Sequence, residues 1–540
     1  MVMEILLVIP KYNLTDKRDY EYSFPLGLGY IFSVIKKAGY SLDCINLNHL
    51  DGTIEQVVTN VLDKKKYDVV CSGHTGIGYA AMEKILAAVR NHQSRPKFIL
   101  GGAIITSAPK LIFDALKPDY AVFSEGEVTT LELLKYLEGS NKEIKDIAGI
   151  IYRDSDGQAV INAPRESIKN IDLIPFPDLE GLGFSEYLEN QTTNVNSNSS
   201  FDYPRCYPIL CSRGCPFQCT FCYHSLGTNY RTRSMDNIFE ELEWAIKKYK
   251  INFIKIYDDL FSLNKDRLYD FCRKIKLLFK EIPWKCEWWC QLSVQNADRE
   301  MLSIVKDAGC AGISWGFESY SPIVLKSMRK PITPQQIDNA IKLCMEFKIN
   351  ITGNFIFGDI AETKETARET LDYWIKNCKG QVALGVVQPY PGSEIYKHCV
   401  KKGIIKDELD YIKNKMAHVN WLNMTDSMTD QEFSRLKKEV LKLTIKHRKY
   451  IALLKTIKEN KPNYYSIQVK CPFCNEKIIY KNFYIENRWH YSQRLFCKKC
   501  HMNFYVCNRL YKFGMDHHNE LDFFIRKYLL IRDILGRRKL

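Results

Sequence analysis

From Ile5 to Ser124, short runs of Val, Ile and Leu alternate with longer stretches whose apolar positions repeat at helical spacing. Ile5 to Ile9 precedes Leu26 to Lys37, Leu42 to Leu47 precedes Ile54 to Lys65, and Tyr67 to Ser72 precedes Ala80 to Arg90; Phe98 to Gly102 and Tyr120 to Ser124 continue the series. Strands this apolar are covered on both faces, so the pattern predicts an α/β domain over residues 1–145 with a doubly wound parallel sheet. Such sheets take ligands beyond the carboxyl ends of their strands. The turns at those ends are short and small: Pro25 to Gly29, Ser72-Gly73-His74, Gly101-Gly102-Ala103 and Ser124-Glu125-Gly126-Glu127. Small residues in successive turns admit a flat ligand close to the backbone, and tight packing is the competing explanation at each.

A second alternation fills residues 206–400. Helical stretches Met235 to Lys248, Lys265 to Phe279, Arg299 to Ala308, Pro334 to Glu346 and Glu365 to Lys376 separate apolar runs at Phe253 to Tyr257, Trp288 to Leu292, Gly312 to Phe317, Asn350 to Phe357 and Val382 to Val387. This is a parallel βα repeat of about six units. Residues 146–205 read as a linker. It holds a hairpin about Asp154 to Gly157, a Pro-containing connector from Asp172 to Asp178, and a polar loop from Asn190 to Ser200. Beyond the repeat, residues 405–462 form a basic helical region, with one helical pattern from Asp430 to Lys458, and 516–540 an amphipathic basic tail.

Composition narrows the class. A chain of 540 residues buries enough core to need no disulfide staples, and its 19 cysteines group in metal-type spacings, which points to a reducing, cytoplasmic setting. The N-terminal apolar run ends at Pro10-Lys11 and reads as a strand, not a signal peptide; no run approaches the length of a membrane span. The net charge of +14 sits almost wholly in residues 401–540, with about 30 Lys and Arg against about 14 Asp and Glu. A solvated helical face explains that excess as well as nucleic acid or an anionic lipid surface does.

The candidate chemistry centres on Cys211-Ser212-Arg213-Gly214-Cys215-Pro216-Phe217-Gln218-Cys219-Thr220-Phe221-Cys222. Three thiols in a Cys-x3-Cys-x2-Cys loop suit an iron–sulfur cluster with one iron left open; a zinc ion or plain buried thiols are the competing readings. The spacing of Cys215, Cys219 and Cys222 resembles the signature of the radical S-adenosylmethionine (SAM) enzymes. With the strand-end turns upstream, the chain resembles the cobalamin-binding branch of that family, the class B methyltransferases among it, over roughly residues 4–400.

The resemblance implies a Rossmann-like cobalamin domain, a partial (β/α)6 TIM-type barrel, a 4Fe-4S cluster on Cys215, Cys219 and Cys222, and SAM at the open iron. It implies SAM contacts at Asp258 and Asp259, where many members carry Gly-Gly-Glu, and at Glu318 with Gly316, Gly353 and Arg231. Cobalamin contacts are implied at Ser72, Gly101, Gly102, Glu125 and Gly126. The Asp-x-His-x-x-Gly motif that ligates cobalt from below is missing after the first strand; His49 with Gly52 mimics it only in part, and His74 is a further residue facing that edge. Trp284, Trp288 and Trp289 are placed near the barrel mouth. The implied activity is methyl transfer to an unactivated carbon through a 5′-deoxyadenosyl radical and methylcobalamin, with electrons from a flavodoxin or ferredoxin. Ring rearrangement or oxidative cyclisation, RNA modification and a non-catalytic cobalamin or redox sensor are the rivals. Nothing in the sequence names the substrate among small molecules, lipids, sugars and peptides.

One motif stands apart. Cys471-Pro472-Phe473-Cys474 and Cys497-Lys498-Lys499-Cys500 pair as two knuckles within residues 463–515. Four thiolates at that separation predict a closed tetrahedral site of zinc-ribbon type holding zinc or iron. Its basic surroundings, with the tail helix from Leu521 to Leu540, leave peripheral membrane contact open.

Overall fold

The computed structural model describes residues 3–193, 200–416, 421–446, 450–454, 456–485 and 492–516. The first alternation builds a seven-stranded sheet from β1 (Glu4–Ile9), β2 (Ser41–Asn46), β3 (Val69–Gly73), β4 (Lys97–Gly101), β5 (Tyr120–Val122), β6 (Ile150–Arg153) and β7 (Ala159–Ile161) in the order β2-β1-β3-β4-β5-β6-β7. Strands β1 to β5 run parallel. The residues expected in a linker hairpin extend this sheet as two antiparallel strands. The chain reverses its direction of winding between β1 and β3, and that switch point opens a crevice at the carboxyl ends.

The second alternation gives six parallel strands, β8 (Cys206–Ile209), β11 (Phe253–Ile256), β12 (Glu287–Leu292), β13 (Cys310–Glu318), β14 (Asn350–Phe357) and β15 (Ala383–Val386), in sequence order across the sheet of a partial barrel. A short antiparallel pair, β9 (Ser212–Arg213) with β10 (Arg231–Thr232), stands at the carboxyl end of β8 and carries the cysteine loop between its strands. The helix Phe184–Glu189, inside the stretch read as linker, ties the two sheets together. Phe184 is fully buried, with ring centroids 5.0 Å from Phe24, 5.9 Å from Tyr207 and 5.0 Å from Tyr249. Burial of a side chain this size stabilises the junction by roughly 1.5–3 kcal/mol.

The C-terminal region departs from the single helix expected between Asp430 and Lys458. The helix is Asp430–Lys446, and strands β16 (Ile451–Leu453) and β17 (Thr456–Lys461) follow. Pairing decides this: β16 adds to β21 (Asn503–Cys507), and β17 to β18 (Tyr464–Lys470), which continues to β19 (Lys477–Tyr484); β20 (Ser492–Phe496) completes the set. Sheet partners override a helical pattern whose apolar positions suit either state.

This module docks on the amino ends of the barrel strands, the face away from the cysteine loop. Asn350 Nδ2, at the start of β14, donates to the His501 carbonyl at 3.2 Å, and Gln381, just before β15, exchanges two hydrogen bonds with the Asn503 backbone. Phe496 packs with Cys206, Phe253, Trp289 and Ala311 inside the barrel floor. Trp288 and Trp289 therefore belong to the floor and wall of the barrel, not to its mouth, because they begin β12. The described ends of the polar loop also meet the module, with Thr193 N–H donating to the Asn482 carbonyl. The tail from Leu521 to Leu540 lies outside the described residues. Among the described residues no helix is long and apolar enough to cross a membrane.

Candidate functional site

The cysteine loop leaves β8 at its carboxyl end, where parallel barrels place their chemistry. Cys215 is half-buried, Cys219 buried and Cys222 exposed. The Cys219 and Cys222 thiols are hydrogen-bonded to each other, and this contact, against burial and with the Lys330 cation, lowers Cys219 to about 7. The Cys215 thiol also feels the Cys219 charge, so the three thiols act on one another within one loop. Cys211 sits beneath them, fully buried, its thiol pushed well above its ordinary range by burial.

Asp258 anchors that base. Its Oδ1 accepts from the Cys211 N–H at 2.7 Å and its Oδ2 from the Ser212 hydroxyl at 2.6 Å, and burial lifts its carboxyl to about 7. The neighbouring helix Lys265–Lys280 takes its cap from Asn264, not from this pair. Asp258 is thus committed to the loop, whereas Asp259 next to it is exposed on the loop side, where its charge acts on Cys215. Replacing Asp258 by Ala leaves the buried Cys211 N–H without an acceptor, at about 1–3 kcal/mol, and leaves the Ser212 hydroxyl only the Leu260 carbonyl at 3.0 Å. The expected result is a lower melting temperature and less iron bound per chain on anaerobic reconstitution, with Asp258→Asn partly restoring both; full iron loading in the Ala variant would show the anchor to be dispensable.

Glu318 ends β13 in a left-handed backbone conformation, φ 61°, next to a register shift against β14. Such strain in a non-glycine residue gathers at functional sites. Its carboxylate meets the Lys330 amine at 2.9 Å, and a side chain on Gly316 would lie 2.3 Å from that amine. Gly316 therefore makes room for the ion pair. Lys330 belongs to the segment whose Met328 carbonyl accepts from the Thr220 N–H of the cysteine loop. No spacing in the sequence singles it out. Gly353 lies mid-strand, where a Cβ would come within 2.8 Å of the Phe317 ring and the Trp315 carbonyl, so packing accounts for it.

On the first sheet, Tyr12 and His74 follow β1 and β3 at the switch point, with ring centroids 4.8 Å apart. His74 Nδ1 engages Thr75, and burial lowers its pKa. His49 is committed elsewhere, to the Tyr22 hydroxyl at 2.8 Å and to Glu186. The Ser72 hydroxyl donates to the Val8 carbonyl within the sheet. Gly102 has φ 88°, and a Cβ there would sit 2.7 Å from the His74 carbonyl, whereas a Cβ on Gly101 would meet nothing nearer than 3.9 Å. Glu125 and Glu127, flanking Gly126 after β5, are buried against Arg213 and Arg231 of the cysteine hairpin. Arg231, expected near a SAM carboxylate, spends its guanidinium on Glu125 and on the Ile168 carbonyl.

The radical SAM superfamily profile matches residues 209–373, and the B12 binding domain profile matches residues 18–134. The chain is 30% identical over 412 residues to an uncharacterized methyltransferase of Pyrococcus horikoshii, across 75% of this chain and 84% of that protein. The chain belongs to the cobalamin-dependent radical SAM family. This family member is also 25% identical over 453 residues to the cytidylyl-2-hydroxyethylphosphonate methyltransferase of Streptomyces wedmorensis, covering 75% of this chain and 83% of the relative. Its fold is shared with the radical SAM methyltransferase TsrM of Kitasatospora setae, solved with cobalamin and a 4Fe-4S cluster, at TM-score 0.58 and 17% identity over 74% of this chain and 76% of that one. The cobalamin-dependent radical enzyme OxsB superposes at TM-score 0.62 and 17% identity, over 83% and 72%.

The four-cysteine module of this radical SAM enzyme lies outside both profile matches. Cys471, Cys474, Cys497 and Cys500 bring their sulfurs within 4.8 Å of one another, with Cys471 to Cys500 at 3.8 Å and Cys474 to Cys497 at 3.7 Å. A tetrahedron of metal–sulfur bonds of about 2.3 Å has edges of about 3.8 Å, so the four thiols fit one metal ion. Hydrogen bonds from Cys497 and Cys500 hold Cys471 well below the ordinary thiol range, toward the thiolate a metal takes. His501, which follows the second knuckle and is not among the four ligands, has its Nδ1 3.0 Å from the Lys306 amine and its Nε2 3.5 Å from Glu287.

Proposed function

We propose that this enzyme transfers a methyl group to an unactivated carbon of a small-molecule substrate held between the two sheets. The observation that carries this reading is the meeting of the three-thiol loop with the carboxyl edge of the cobalamin-type sheet through the buried Arg213 and Arg231 contacts to Glu125 and Glu127. Two relatives named as methyltransferases support it. When bound, the cluster with SAM supplies radical chemistry and cobalamin supplies a transferable methyl group.

The protein's own part is placement. Cys215, Cys219 and Cys222 would hold the cluster, and the open iron would face SAM. Asp259 and the Glu318–Lys330 pair ring that side, with a free carboxylate for a cationic amine and a fixed cation against the thiolates. Gly316 keeps the space for the pair clear. Tyr12 and His74, their rings 4.8 Å apart and tilted by 43°, line the switch point where the corrin would lie. The module at the opposite end, carrying zinc or iron, closes the barrel floor with Phe496 and keeps water from entering there. Electrons would come from a flavodoxin- or ferredoxin-class donor.

Anaerobic reconstitution with iron, sulfide and cobalamin, followed by incubation with methyl-labelled SAM and a reductant, tests this. Methyl transfer is expected to release 5′-deoxyadenosine and to move the label from SAM into an acceptor. A protein that takes up no cobalamin overturns the reading. Uptake with 5′-deoxyadenosine formation but an unlabelled, cyclised product favours the chemistry named in another relative, the anaerobic magnesium-protoporphyrin IX monomethyl ester cyclase of Cereibacter sphaeroides, 26% identical over 380 residues, 68% of this chain and 59% of the relative.

A further inference from the structure

Four ionisable side chains, all at least nine-tenths buried, meet where the two sheets join. Arg213 places Nη2 at 2.5 Å from Glu127 and Nη1 at 3.2 Å from Glu125. Arg231 grips Glu125 with both terminal nitrogens, at 2.9 Å and 3.0 Å. The Ile168 N–H donates to Glu125 at 2.7 Å, and the Arg213 guanidinium lies 5.3 Å over the Tyr30 ring. Against the cost of burial, Arg231, the Ile168 N–H and Arg213 hold the Glu125 carboxyl below its ordinary range. Glu125 is thus held ionised among its cations.

The placement of these residues is specific. Arg213 and Arg231 face each other across the β9–β10 pair, and the cysteine loop is the segment between them. Glu125 and Glu127 flank the turn after β5, on the edge where this fold takes its ligand. A second arm reaches the same edge. Tyr223, the residue after Cys222, is hydrogen-bonded to Thr106 in the short helix Ala103–Ser107 that follows Gly102, and its ring is so close to Gly392 that a Cβ there would come within 2.5 Å. Thr106 Oγ1 in turn accepts the Ser124 N–H at 3.0 Å, one residue before Glu125. The cysteine loop is therefore held at both ends by the turn after β5 and at its middle, through Tyr223, by the segment after β4, and those two segments are joined to each other.

We infer that this closed circuit of contacts is a positioning clamp that makes filling of the cysteine loop and binding of cobalamin mutually dependent. A loop ordered by its cluster fixes the spacing of Arg213 and Arg231, which fixes the turns bearing Gly102 and Glu125, and a corrin seated on those turns fixes the loop in return. Linkage requires the coupling to be equal in both directions. The clamp rests on the reading that cobalamin binds this sheet, and it assigns Glu125, Glu127, Arg213 and Arg231 to positioning, not to contact with either cofactor.

The test measures the dissociation constant of hydroxocobalamin for the full-length chain with and without a reconstituted cluster. Wild-type protein is expected to bind at least about fivefold more tightly when the cluster is present, and cobalamin is expected to strengthen cluster retention by the same factor. The double variant Arg213→Gln/Glu127→Gln removes one cation and one anion together and should bring the ratio toward one, whereas Arg213→Lys should keep most of it. Thr106→Val, which removes both the Tyr223 arm and the link to the Ser124 N–H but no charge, should lower the ratio part of the way, so it reports even where the double variant misfolds. Equal wild-type affinity with and without the cluster overturns the clamp, as does a folded double variant with an unchanged ratio. Absence of cobalamin binding in any state overturns the proposed function as well.

Discussion

Cys219→Ala is expected to reduce acid-labile sulfide, and the cluster iron that accompanies it, to background after anaerobic reconstitution and to abolish 5′-deoxyadenosine formation. Two thiolates in a solvent-reached loop do not retain a cluster that ordinarily takes four ligands, one of which this loop already lacks. The informative control is Cys211→Ala. Cys211 lies in the same stretch of chain but is fully buried at the end of β8, where its N–H bonds Asp258 and its carbonyl accepts from Arg267. Those contacts use the backbone and survive the substitution, so the cost is that of an ordinary small packing change, about 1 kcal/mol. Acid-labile sulfide by chemical assay and SAM cleavage by chromatography should therefore separate the two variants completely. Equal sulfide loading in both would mean that the cluster is held by a different set of thiols.

Both sheets were legible in the sequence because their strands are short apolar runs set between helical patterns, and burial on two faces leaves that signature at every repeat. The three cluster thiols and the four module thiols were legible for another reason: each set is local, with spacing that a single metal or cluster imposes. What the sequence did not show is pairing at long range. Arg213 and Glu125 are 88 residues apart, and a buried ion pair leaves no periodicity; Glu125 and Arg231 therefore read as separate cofactor contacts when they bind each other. Lys330 escaped notice because a lysine after a helix is ordinarily solvated, and only the missing side chain at Gly316 and the turned backbone of Glu318 draw it inward. The helix expected to run to Lys458 ends at Lys446 because the apolar residues at Ile451–Leu453 are claimed by β21, and periodicity within one segment cannot register a partner more than fifty positions away.

Loss of the metal from the C-terminal module should be felt at the opposite end of the barrel from the cluster. The module has a small core, built around Tyr465, Ile467, Val469, Tyr480, Phe504 and Val506, and in domains of this kind metal binding supplies about 10–16 kcal/mol of the folding free energy. Cys471→Ser, or extraction by a strong chelator, removes that term, and the second knuckle then releases His501 and Asn503. Glu287 is held at about 2, against its burial, by His501 and Lys285; without His501 it keeps the exposed lysine and the Ser200 hydroxyl. Asn350 and Gln381 lose their backbone partners, and Phe253 and Trp289 lose the cover of Phe496. The melting temperature of the whole chain is expected to fall by about 10 °C or more, with new binding of a hydrophobic dye. Iron in the Cys215 loop and the ordering of the first sheet should persist well below the new transition, since the module's described hydrogen bonds to the barrel fall on its amino end, away from the loop. Calorimetry alongside separate measurement of zinc and iron content decides it: a variant lacking the module's metal yet melting within about 2 °C of wild type would make the module an independent appendage and leave the barrel floor to close by itself.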